Sequence, residues 1–332
     1  MKNSAIVLPT AALAAGLAFG SAFGDPALYP ILEDGKWGYI DAQGKIVIEP
    51  VYDGARLFAE GLAAVCQGGL WGYVNLRGEL AVRPQFDEAF EFSDGLARVR
   101  KAEGLTGNFG FIDKQGKLVL DLKYDRAGDF CDGLARVDLD DDGKLAWGYI
   151  DKTGERKIDV QFADAADFAE GLAAVNRDGA YGYIDATGQM VIAPRFAKCG
   201  SFREGRAPVE IEGKWGYLNK SGETIVEPQY QAAGEFCDGL AAVCVDSKFG
   251  FVEPSGRVTI VPRFAEAHDF HGGLAAVRLE RKWGYVDAAG NLTIEPRFDE
   301  CGDFTSELAS VVLEGRNAWI NKKGEVVWRS TK

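Results

Sequence analysis

The chain has 332 residues, of which 47% are hydrophobic and 26% are charged. This composition is typical of a folded chain and excludes a wholly disordered one. The net charge of −13 disfavours nucleic acids and anionic membrane surfaces as partners, because both are bound mainly through lysine and arginine. A basic partner is compatible with this charge.

The N-terminal segment is typical of a secretory signal peptide. Lys2 supplies a positive charge, residues 5–19 are almost wholly apolar, and small residues precede a cleavage site predicted after Gly24. An uncleaved membrane anchor is the less favoured alternative, because the apolar run is too short to span a bilayer comfortably. We therefore predict a signal peptide at 1–24 and a mature chain of 25–332, without a later transmembrane segment. The protein is expected to be exported, to the periplasm or outside the cell.

The remaining sequence repeats one short motif nine times, beginning with Trp37-Gly38-Tyr39-Ile40-Asp41. Successive copies are 34 residues apart, except for two steps of 38. The leading residues of the nine units are Trp37, Trp71, Phe109, Trp147, Tyr181, Trp215, Phe249, Trp283 and Asn317. A fixed period of this size indicates a repeat architecture.

Each unit contains three predicted strands. In the first unit, residues 37–41 alternate with period two, residues 46–48 form a second apolar run, and residues 62–65 form a third. Gly44 marks a hairpin turn between the first two strands, and an Ala-x-x-Phe segment at residues 55–58 is interpreted as a turn before the third. The pattern predicts an all-β chain built as a tandem array of nine three-stranded antiparallel β-meanders.

Two architectures are compatible with such an array. β-Propellers usually have four to eight blades of four strands each, and the sequence shows no strand donated from one terminus to close a ring. We therefore favour an open, superhelical or solenoid-like array. A closed ring similar to a β-propeller is the alternative.

The recurring Lys-Trp-Gly-Tyr-Ile-Asp core, followed by Pro-x-Phe/Tyr and Gly-Leu-Ala-Ala-Val, resembles the bacterial WG-repeat family, also called KWG repeats. The resemblance covers about residues 28–330. It implies tandem β-repeats, frequent export and a binding role, and it implies no catalytic residues. The ninth unit departs most from the pattern, because Asn317 replaces its leading tryptophan, and it resembles a terminal cap.

Two insertions of four residues distinguish neighbouring units, at residues 100–108 and 138–146. Both lengthen the connection between the third strand of one unit and the leading strand of the next, so they are expected to project side by side. Insertions in repeat proteins tend to collect on the binding face, and neutral variation of a tolerant loop is the alternative. The candidate binding residues are Arg100, Lys101, Glu103, Asn108, Asp141 and Lys144.

The second insertion also suggests a calcium site. Asp138, Asp140 and Asp142, followed by Gly143, match the opening of a calcium-binding loop. Tyr149 stands where the bidentate glutamate of an EF-hand would follow, and no helices flank the segment. A solvated acidic hairpin tip is therefore favoured over calcium, and no other cofactor is expected.

The six cysteines fall at three repeat positions. Cys199 and Cys301 replace a small alanine and are interpreted as packing thiols. The other four, at variable positions predicted to be exposed, are Cys66, Cys131, Cys237 and Cys244. Only Cys237 and Cys244 lie close enough in one unit to suggest a disulfide, because stacked repeats contact only their neighbours.

No catalytic pattern is found in the sequence. His268 and His271 have a spacing that suits a metal on a helical turn, but no third ligand accompanies them, and there is no P-loop, nucleophile elbow or Cys-x-x-Cys motif. We therefore predict a non-catalytic binding or scaffold protein for a protein or cell-envelope polymer. A carbohydrate-binding module that uses the repeated aromatic residues, and a hydrolase with an unrecognised site, are the alternatives.

Overall fold

The computed structural model describes residues 27–103, 106–138 and 146–331, without the side chains of residues 103–107. The predicted signal peptide lies outside these ranges. All regular secondary structure in the described ranges is β-strand. These ranges contain no helix that is long and apolar enough to cross a membrane. The strands form nine antiparallel sheets, here called blades 1 to 9, in which each strand pairs with its neighbours in sequence.

The strands of blades 1 to 4 are β1 (Tyr29–Glu33), β2 (Lys36–Ile40) and β3 (Ile46–Tyr52); β4 (Gly54–Ala59), β5 (Leu62–Gln67), β6 (Leu70–Asn75) and β7 (Leu80–Phe86); β8 (Glu88–Ser93), β9 (Leu96–Glu103), β10 (Thr106–Ile112) and β11 (Leu118–Tyr124); and β12 (Arg126–Ala127), β13 (Leu134–Asp138), β14 (Trp147–Asp151) and β15 (Arg156–Phe162).

The strands of blades 5 to 9 are β16 (Asp164–Ala165), β17 (Leu172–Arg177), β18 (Ala180–Asp185) and β19 (Met190–Phe196); β20 (Lys198–Cys199), β21 (Arg206–Ile211), β22 (Lys214–Asn219) and β23 (Thr224–Tyr230); β24 (Ala232–Ala233), β25 (Ala241–Val245), β26 (Lys248–Val252) and β27 (Val258–Phe264); β28 (Glu266–His271), β29 (Leu274–Leu279), β30 (Lys282–Asp287) and β31 (Leu292–Phe298); and β32 (Glu300–Thr305), β33 (Leu308–Leu313), β34 (Arg316–Asn321) and β35 (Val326–Arg329).

The blades have four strands rather than the predicted three, except blade 1. The additional strand is the Ala-x-x-Phe segment, which the sequence pattern assigned to a turn and which pairs with the following strand, as β4 pairs with β5. In blades 4 to 7 this first strand has only two residues and its pairing resumes at an isolated bridge, such as Cys131 with Leu134. The prediction was wrong here because this strand has too few alternating residues to give a period-two signal.

The sequence repeat and the blade are out of phase. A unit that starts at Trp37 supplies the third and fourth strand positions of one blade (β2, β3) and then the first and second strands of the next (β4, β5). Every unit therefore covalently connects two blades. Residues that belong to one sequence unit can consequently contact each other across a blade junction.

An aromatic pair fills each of these junctions. Tyr39 of blade 1 is fully buried and meets Phe58 of blade 2 in an edge-to-face contact with ring centroids 4.9 Å apart. The Tyr39 hydroxyl donates a hydrogen bond of 2.8 Å to the backbone oxygen of Arg56. Corresponding aromatic contacts recur at Tyr73–Phe92, Phe111–Phe130, Tyr149–Phe168, Tyr183–Phe202, Tyr217–Phe236, Phe251–Phe270 and Tyr285–Phe304.

The tight turns between first and second strands also connect the blades. In blade 4, Asp132 and Gly133 have φ angles of +52° and +83°, as a two-residue hairpin turn requires. The carboxylate of Asp132 accepts a hydrogen bond of 2.7 Å from the backbone nitrogen of Gly171, in the same turn of blade 5. The equivalent pairs along the chain are Glu60–Gly95, Asp94–Gly133, Glu170–Gly205, Glu204–Gly239 and Asp238–Gly273.

Blades 1 and 9 pack against each other and close the ring. Tyr29 and Ile31 of blade 1 share a buried cluster with Leu308 and Trp319 of blade 9. The indole nitrogen of Trp319 donates a hydrogen bond of 2.9 Å to the backbone oxygen of Pro30. The all-β tandem repeat is thus confirmed, and its architecture is the propeller-like closed ring, the alternative to the favoured open array. The ring has nine blades, one more than the usual maximum.

Candidate functional site

The first strands lie at the centre of the ring. Neighbouring first strands contact one another, as β4 contacts β8 and β28 contacts β32, whereas the described fourth strands of neighbouring blades make no contact of similar extent. In a propeller this arrangement places the first strands around the central channel. Their side chains therefore decide what the centre of the ring can bind.

One position of the first-strand segment is mostly acidic. It is the residue directly before the paired phenylalanine, and it is Leu57 in blade 2 and Ser201 in blade 6. The other six blades that have this segment carry a carboxylate there: Glu91, Asp129, Asp167, Glu235, Asp269 and Asp303.

The carboxylates of blades 4 and 5 each pair with an arginine of the preceding blade. Arg98 of blade 3 pairs with Asp129 of blade 4, with 3.0 Å between Nε and Oδ1. Arg136 of blade 4 pairs in the same way with Asp167 of blade 5, at 2.9 Å. Burial raises the pKa of Glu91 in blade 3 and of Asp167, and the charges of neighbouring arginines counteract this effect at both carboxyl groups.

Blades 7 to 9 carry an excess of negative charge. We call Glu235, Asp269 and Asp303 the acidic arc. Arg203 binds Glu235 with 2.7 Å between Nε and Oε2, and the Nδ1 atom of His268 lies 2.9 Å from Oδ1 of Asp303. The Asp269 carboxyl group forms no ion pair or hydrogen bond within the described ranges. Among the described partners of the three carboxyl groups, Arg203 is the permanently charged cation, and the two histidines near Asp303 are charged only when protonated.

The titration of the acidic arc reflects this imbalance. Burial, reinforced by the neighbouring charges of Glu235 and Asp303, raises the pKa of Asp269 to about 7. Burial lowers the pKa of His268, but its hydrogen bond to Asp303 and the surrounding carboxylates outweigh that effect, and its pKa is raised. The side chains of Glu235 and Asp303 are 31% and 35% exposed, so a ligand in the channel can reach them.

A pocket of about 530 Å³ opens beside the arc and is lined by residues of blades 4 to 6. We call it the Tyr181 pocket. Tyr181 and Asp164 lie on its blade 5 side, and Ser201 and Arg203 lie on its blade 6 side. The Tyr181 hydroxyl donates a hydrogen bond of 2.7 Å to Oδ2 of Asp164, and this bond is the main reason why the pKa of Tyr181 is raised to about 12.

The first insertion extends a hairpin of blade 3. Arg100, Lys101 and Asn108 lie on β9 and β10, where Lys101 pairs with Asn108 and the backbone of Glu103 pairs with Thr106. Arg100 donates a hydrogen bond of 2.5 Å to Glu88, and Lys101 is exposed. Asp141 and Lys144 lie outside the described residues.

Of the proposed calcium ligands, only Asp138 is described. Its side chain is 1% exposed, and Oδ2 lies 2.7 Å from Nη2 of Arg126. The carboxylate of Asp138 thus has a structural partner within blade 4. Asp140 and Asp142 lie outside the described ranges, and the described residues contain no group of three metal-binding side chains.

All six cysteines are free, so Cys237 and Cys244 form no disulfide. Cys199 and Cys301 are half-buried against the cores of blades 6 and 9, as predicted. The exposure predicted for two others was wrong: Cys66 is 8% exposed and Cys244 is 1% exposed. Burial raises the pKa of all six thiols, to about 11 or 12 for Cys131, Cys199, Cys237 and Cys301.

The two histidines lie on strand β28, not on a helical turn. Both face Asp303, with 2.9 Å from Nδ1 of His268 and 3.9 Å from Nε2 of His271 to the carboxylate oxygens. The acidic arc itself was missed by sequence reasoning. Its signal is the acidic residue that stands directly before the phenylalanine in six of the eight first-strand segments. That signal becomes informative only when the segment is recognised as the inner strand.

The family model described as WG containing repeat matches eight consecutive segments of this chain. They are residues 37–71, 71–104, 109–141, 147–179, 181–215, 215–249, 249–283 and 283–316. The comparison with curated proteins found no match.

Two solved structures illustrate the distant structural similarities. PorZ, a surface component of the type-IX secretion system of Porphyromonas gingivalis, is 12% identical, with a TM-score of 0.37 over 90% of this chain and 45% of PorZ. The chain thus spans about half the length of PorZ. Kluyveromyces lactis Hsv2 is 9% identical, with a TM-score of 0.40 over 92% of this chain and 99% of Hsv2.

Proposed function

Since this chain belongs to the WG-repeat family, we propose that it is an exported, non-catalytic binding or scaffold protein that docks a basic segment of a protein or cell-envelope partner in its ring. The observation that carries this proposal is the acidic arc. Asp269 forms no ion pair among the described residues, and burial together with the charges of Glu235 and Asp303 raises its pKa to about 7. A cationic group placed beside it relieves the repulsion from Glu235 and Asp303.

The arc suits a cationic side chain better than a metal ion. Its three carboxylates come from three different blades, and no metal-binding group of three is present among the described residues. Lysine and arginine side chains are long enough to reach separated carboxylates one at a time. Charge-assisted hydrogen bonds of this kind are about twice as strong as neutral ones.

The two insertions fall at equivalent connections of blades 3 and 4, after β9 and after β13. They connect second and third strands, at the end of an antiparallel blade where the first strand also begins. Arg126, at the start of the first strand of blade 4, pairs with Asp138 beside the second insertion. We include residues 100–108 and 138–146 in the partner surface for this reason. Calcium binding at Asp138, Asp140 and Asp142 is tested by measuring partner binding with and without calcium.

The non-catalytic part of the proposal is supported by the thiols. A nucleophilic cysteine has a lowered pKa, whereas burial raises the pKa of every thiol here, that of Cys237 to about 12. Export follows from the predicted signal peptide. It is tested by locating the tagged full-length chain in cell fractions and by sequencing the N-terminus of the mature protein.

Binding is tested with labelled peptides of equal length that are basic, acidic or uncharged, titrated against the chain starting at Asp25 with and without calcium. Fluorescence anisotropy is expected to show binding of the basic peptide alone, with affinity falling about tenfold or more between about 50 and 300 mM salt. Equal binding of all three peptides contradicts the proposal. Neutral glycans form a parallel series, and glycan binding without peptide binding would favour the carbohydrate alternative.

A further inference from the structure

At several blade junctions the chain places its own cation on the leading aromatic residue. In blade 4 the guanidinium of Arg136 lies 4.9 Å from the centre of the Trp147 ring. Arg98 stands at the same repeat position in blade 3 and lies 5.3 Å from the centre of the Phe109 ring. Arg56, in the first strand of blade 2, lies 5.3 Å from the centre of the Trp71 ring. A cation on an aromatic face is therefore a recurrent feature of this ring.

The slot that holds such an arginine has a defined composition. Arg136 donates a hydrogen bond to the backbone oxygen of Ala165 and pairs with the carboxylate of Asp167, both in the next blade. In the preceding blade, Arg98 makes the same two contacts with Ala127 and Asp129. An aromatic face, a backbone carbonyl and an acceptor side chain thus surround each guanidinium.

At the next junction the slot is present but its arginine is missing. At equivalent repeat positions, Ala174 stands in place of Arg136, and Tyr181 in place of Trp147. Cys199 is equivalent to Ala165, whose backbone oxygen accepts the hydrogen bond from Arg136. Ser201 is equivalent to Asp167, so a hydroxyl stands where the previous blade has a carboxylate. The space left by the short Ala174 and Ser201 side chains is part of the Tyr181 pocket, of about 530 Å³.

The charges around this pocket leave an acidic group without a cation. Lys198 pairs with Glu210 at 2.9 Å, Arg203 pairs with Glu235 at 2.7 Å, and Arg136 pairs with Asp167. The Asp164 carboxylate accepts hydrogen bonds from two neutral donors, the Tyr181 hydroxyl and the backbone nitrogen of Ala165.

We propose that the Tyr181 pocket binds the guanidinium group of an arginine side chain of the partner, which takes the place that Arg136 takes one blade earlier. The inference rests on the proposed function, because it assigns one residue of the basic segment that the acidic arc attracts. A guanidinium fits better than an ammonium group, because it is planar, stacks on an aromatic face and donates several hydrogen bonds in one plane.

The test uses three small probes: N-acetyl-arginine amide, N-acetyl-lysine amide and N-acetyl-citrulline amide. Citrulline keeps the shape of arginine and lacks its charge. Titration calorimetry of the chain starting at Asp25 is expected to show arginine amide binding about tenfold more tightly than either other probe. Equal affinities for arginine and citrulline amides overturn the proposal.

Ala174→Arg supplies the missing guanidinium from within the chain, as Arg136 does, and is expected to weaken binding of arginine amide at least tenfold. Ser201→Asp adds the carboxylate found in the previous blade and is expected to strengthen it about tenfold. If Ala174→Arg does not fold, Tyr181→Leu removes the aromatic face and is expected to weaken binding several-fold. Unchanged affinity in the folded variants overturns the proposal.

The basic peptide separates this inference from the proposed function. If the peptide binds and its affinity responds to the acidic arc, but arginine amide does not bind, the pocket assignment fails and the proposed function stands. If arginine amide binds in the pocket and the peptide shows no preference for the ring, the proposed function fails.

Discussion

Tyr29 and Trp319 form the contact that closes the ring, with ring centroids 5.1 Å apart and an interplanar angle of 56°. Trp319 occupies the position of the buried tyrosine of the other units, such as Tyr285. Tyr29 occupies the position of Ala63, the second-strand residue that pairs with Phe58 in blade 2. Blade 1 has no first strand to supply a phenylalanine, and Tyr29 supplies the aromatic ring in its place.

The hydrogen bond of the missing strand is replaced as well. In blade 6 the backbone oxygen of Pro208 accepts a hydrogen bond from the first-strand nitrogen of Gly200. Pro30 stands at the same position in blade 1, and its oxygen accepts a hydrogen bond from the indole of Trp319. The closing junction therefore reproduces the contacts of an ordinary junction with different atoms.

Removing the closing contact is expected to destabilise the whole ring. Trp319→Ala is predicted to lower the free energy of unfolding by about 3–5 kcal/mol, because a buried aromatic side chain is lost. Trp319→Phe keeps a ring but loses the hydrogen bond to Pro30 and part of the buried indole, and about 2 kcal/mol is expected. Urea denaturation followed by circular dichroism measures both.

Tyr285→Phe is the matched comparison at an internal junction, because it removes only the hydrogen bond from the hydroxyl to the backbone oxygen of Gly302. Tyr285→Phe is expected to cost about 1 kcal/mol, and Trp319→Phe is expected to cost more, because it also removes part of a buried ring. No loss of stability in Trp319→Ala would contradict closure through this contact.

The glycine that follows the leading aromatic residue is required by close approach of two strands. A Cβ atom on Gly72 would lie 2.4 Å from the backbone oxygen of Val82 and 2.6 Å from the nitrogen of Pro84. Gly72→Ala is therefore expected to cost about 3 kcal/mol, because the backbone of β7 has to move. Thermal unfolding measures the effect.

Gly95→Ala is the control, since Gly95 has a φ of +84° and a Cβ atom added to it would meet no other atom within 4 Å. Its cost is expected to be about 1–2 kcal/mol, the strain of a left-handed conformation. If Gly72→Ala lowers stability less than Gly95→Ala does, the close approach of β6 and β7 is not the reason for glycine at position 72.

Asp269 is expected to make the stability depend on pH. The pKa of its carboxyl is raised from 3.8 to about 7 in the folded protein. Between about pH 4 and pH 7 the folded state holds a proton that the unfolded state has released, so stability falls as the pH rises through this window. The raised pKa of His268 also makes stability fall with rising pH. A smaller dependence of stability on pH is therefore expected to remain when Asp269 is replaced.

Asp269→Asn is therefore expected to be about 2 kcal/mol more stable than the wild type at pH 8 and no more stable at pH 4, since one pKa unit corresponds to about 1.4 kcal/mol. Denaturant titrations across this range provide the measurement. Asp185→Asn is the control, because the pKa of Asp185 is lowered by its hydrogen bonds with Thr187. A pH-independent difference between Asp269→Asn and the wild type would contradict the assignment.

The turn-to-turn hydrogen bonds are expected to contribute about 1 kcal/mol each. Asp132→Ala removes the acceptor for the nitrogen of Gly171 and places alanine at a φ of +52°. Asp132→Asn retains a carbonyl acceptor and tolerates this conformation, so it should recover most of the loss. Hydrogen exchange of the Gly171 amide reports the bond directly, and unchanged exchange in Asp132→Ala would contradict it.

Much of the fold could be predicted from the period alone. The nine units, the hairpin glycines such as Gly44 and the buried aromatic positions such as Tyr39 and Phe92 follow from repetition of residue types. Closure could not be predicted, because it depends on the angle between neighbouring blades, and the substitutes Tyr29 and Trp319 are recognised only when the strand register is known.

The candidate site was less accessible to sequence reasoning. The insertions at residues 100–108 and 138–146 stood out by their length, whereas the acidic arc is hidden among many acidic turn residues. Cys66 and Cys244 show the same limit: their repeat position varies in residue type and was taken as exposed. The β5 strand that carries Cys66 is buried almost throughout, and Cys244 lies in the core between blades 7 and 8.

The most direct test of the central claim compares two variants with the same change in net charge. One carries Glu235→Gln, Asp269→Asn and Asp303→Asn in the acidic arc, and the other carries Glu49→Gln, Glu227→Gln and Glu295→Gln on exposed outer strands. The dissociation constant of the basic peptide is measured for both by anisotropy at low salt. The arc variant is predicted to bind at least tenfold more weakly than the outer variant, and equal affinities would contradict a binding site in the ring.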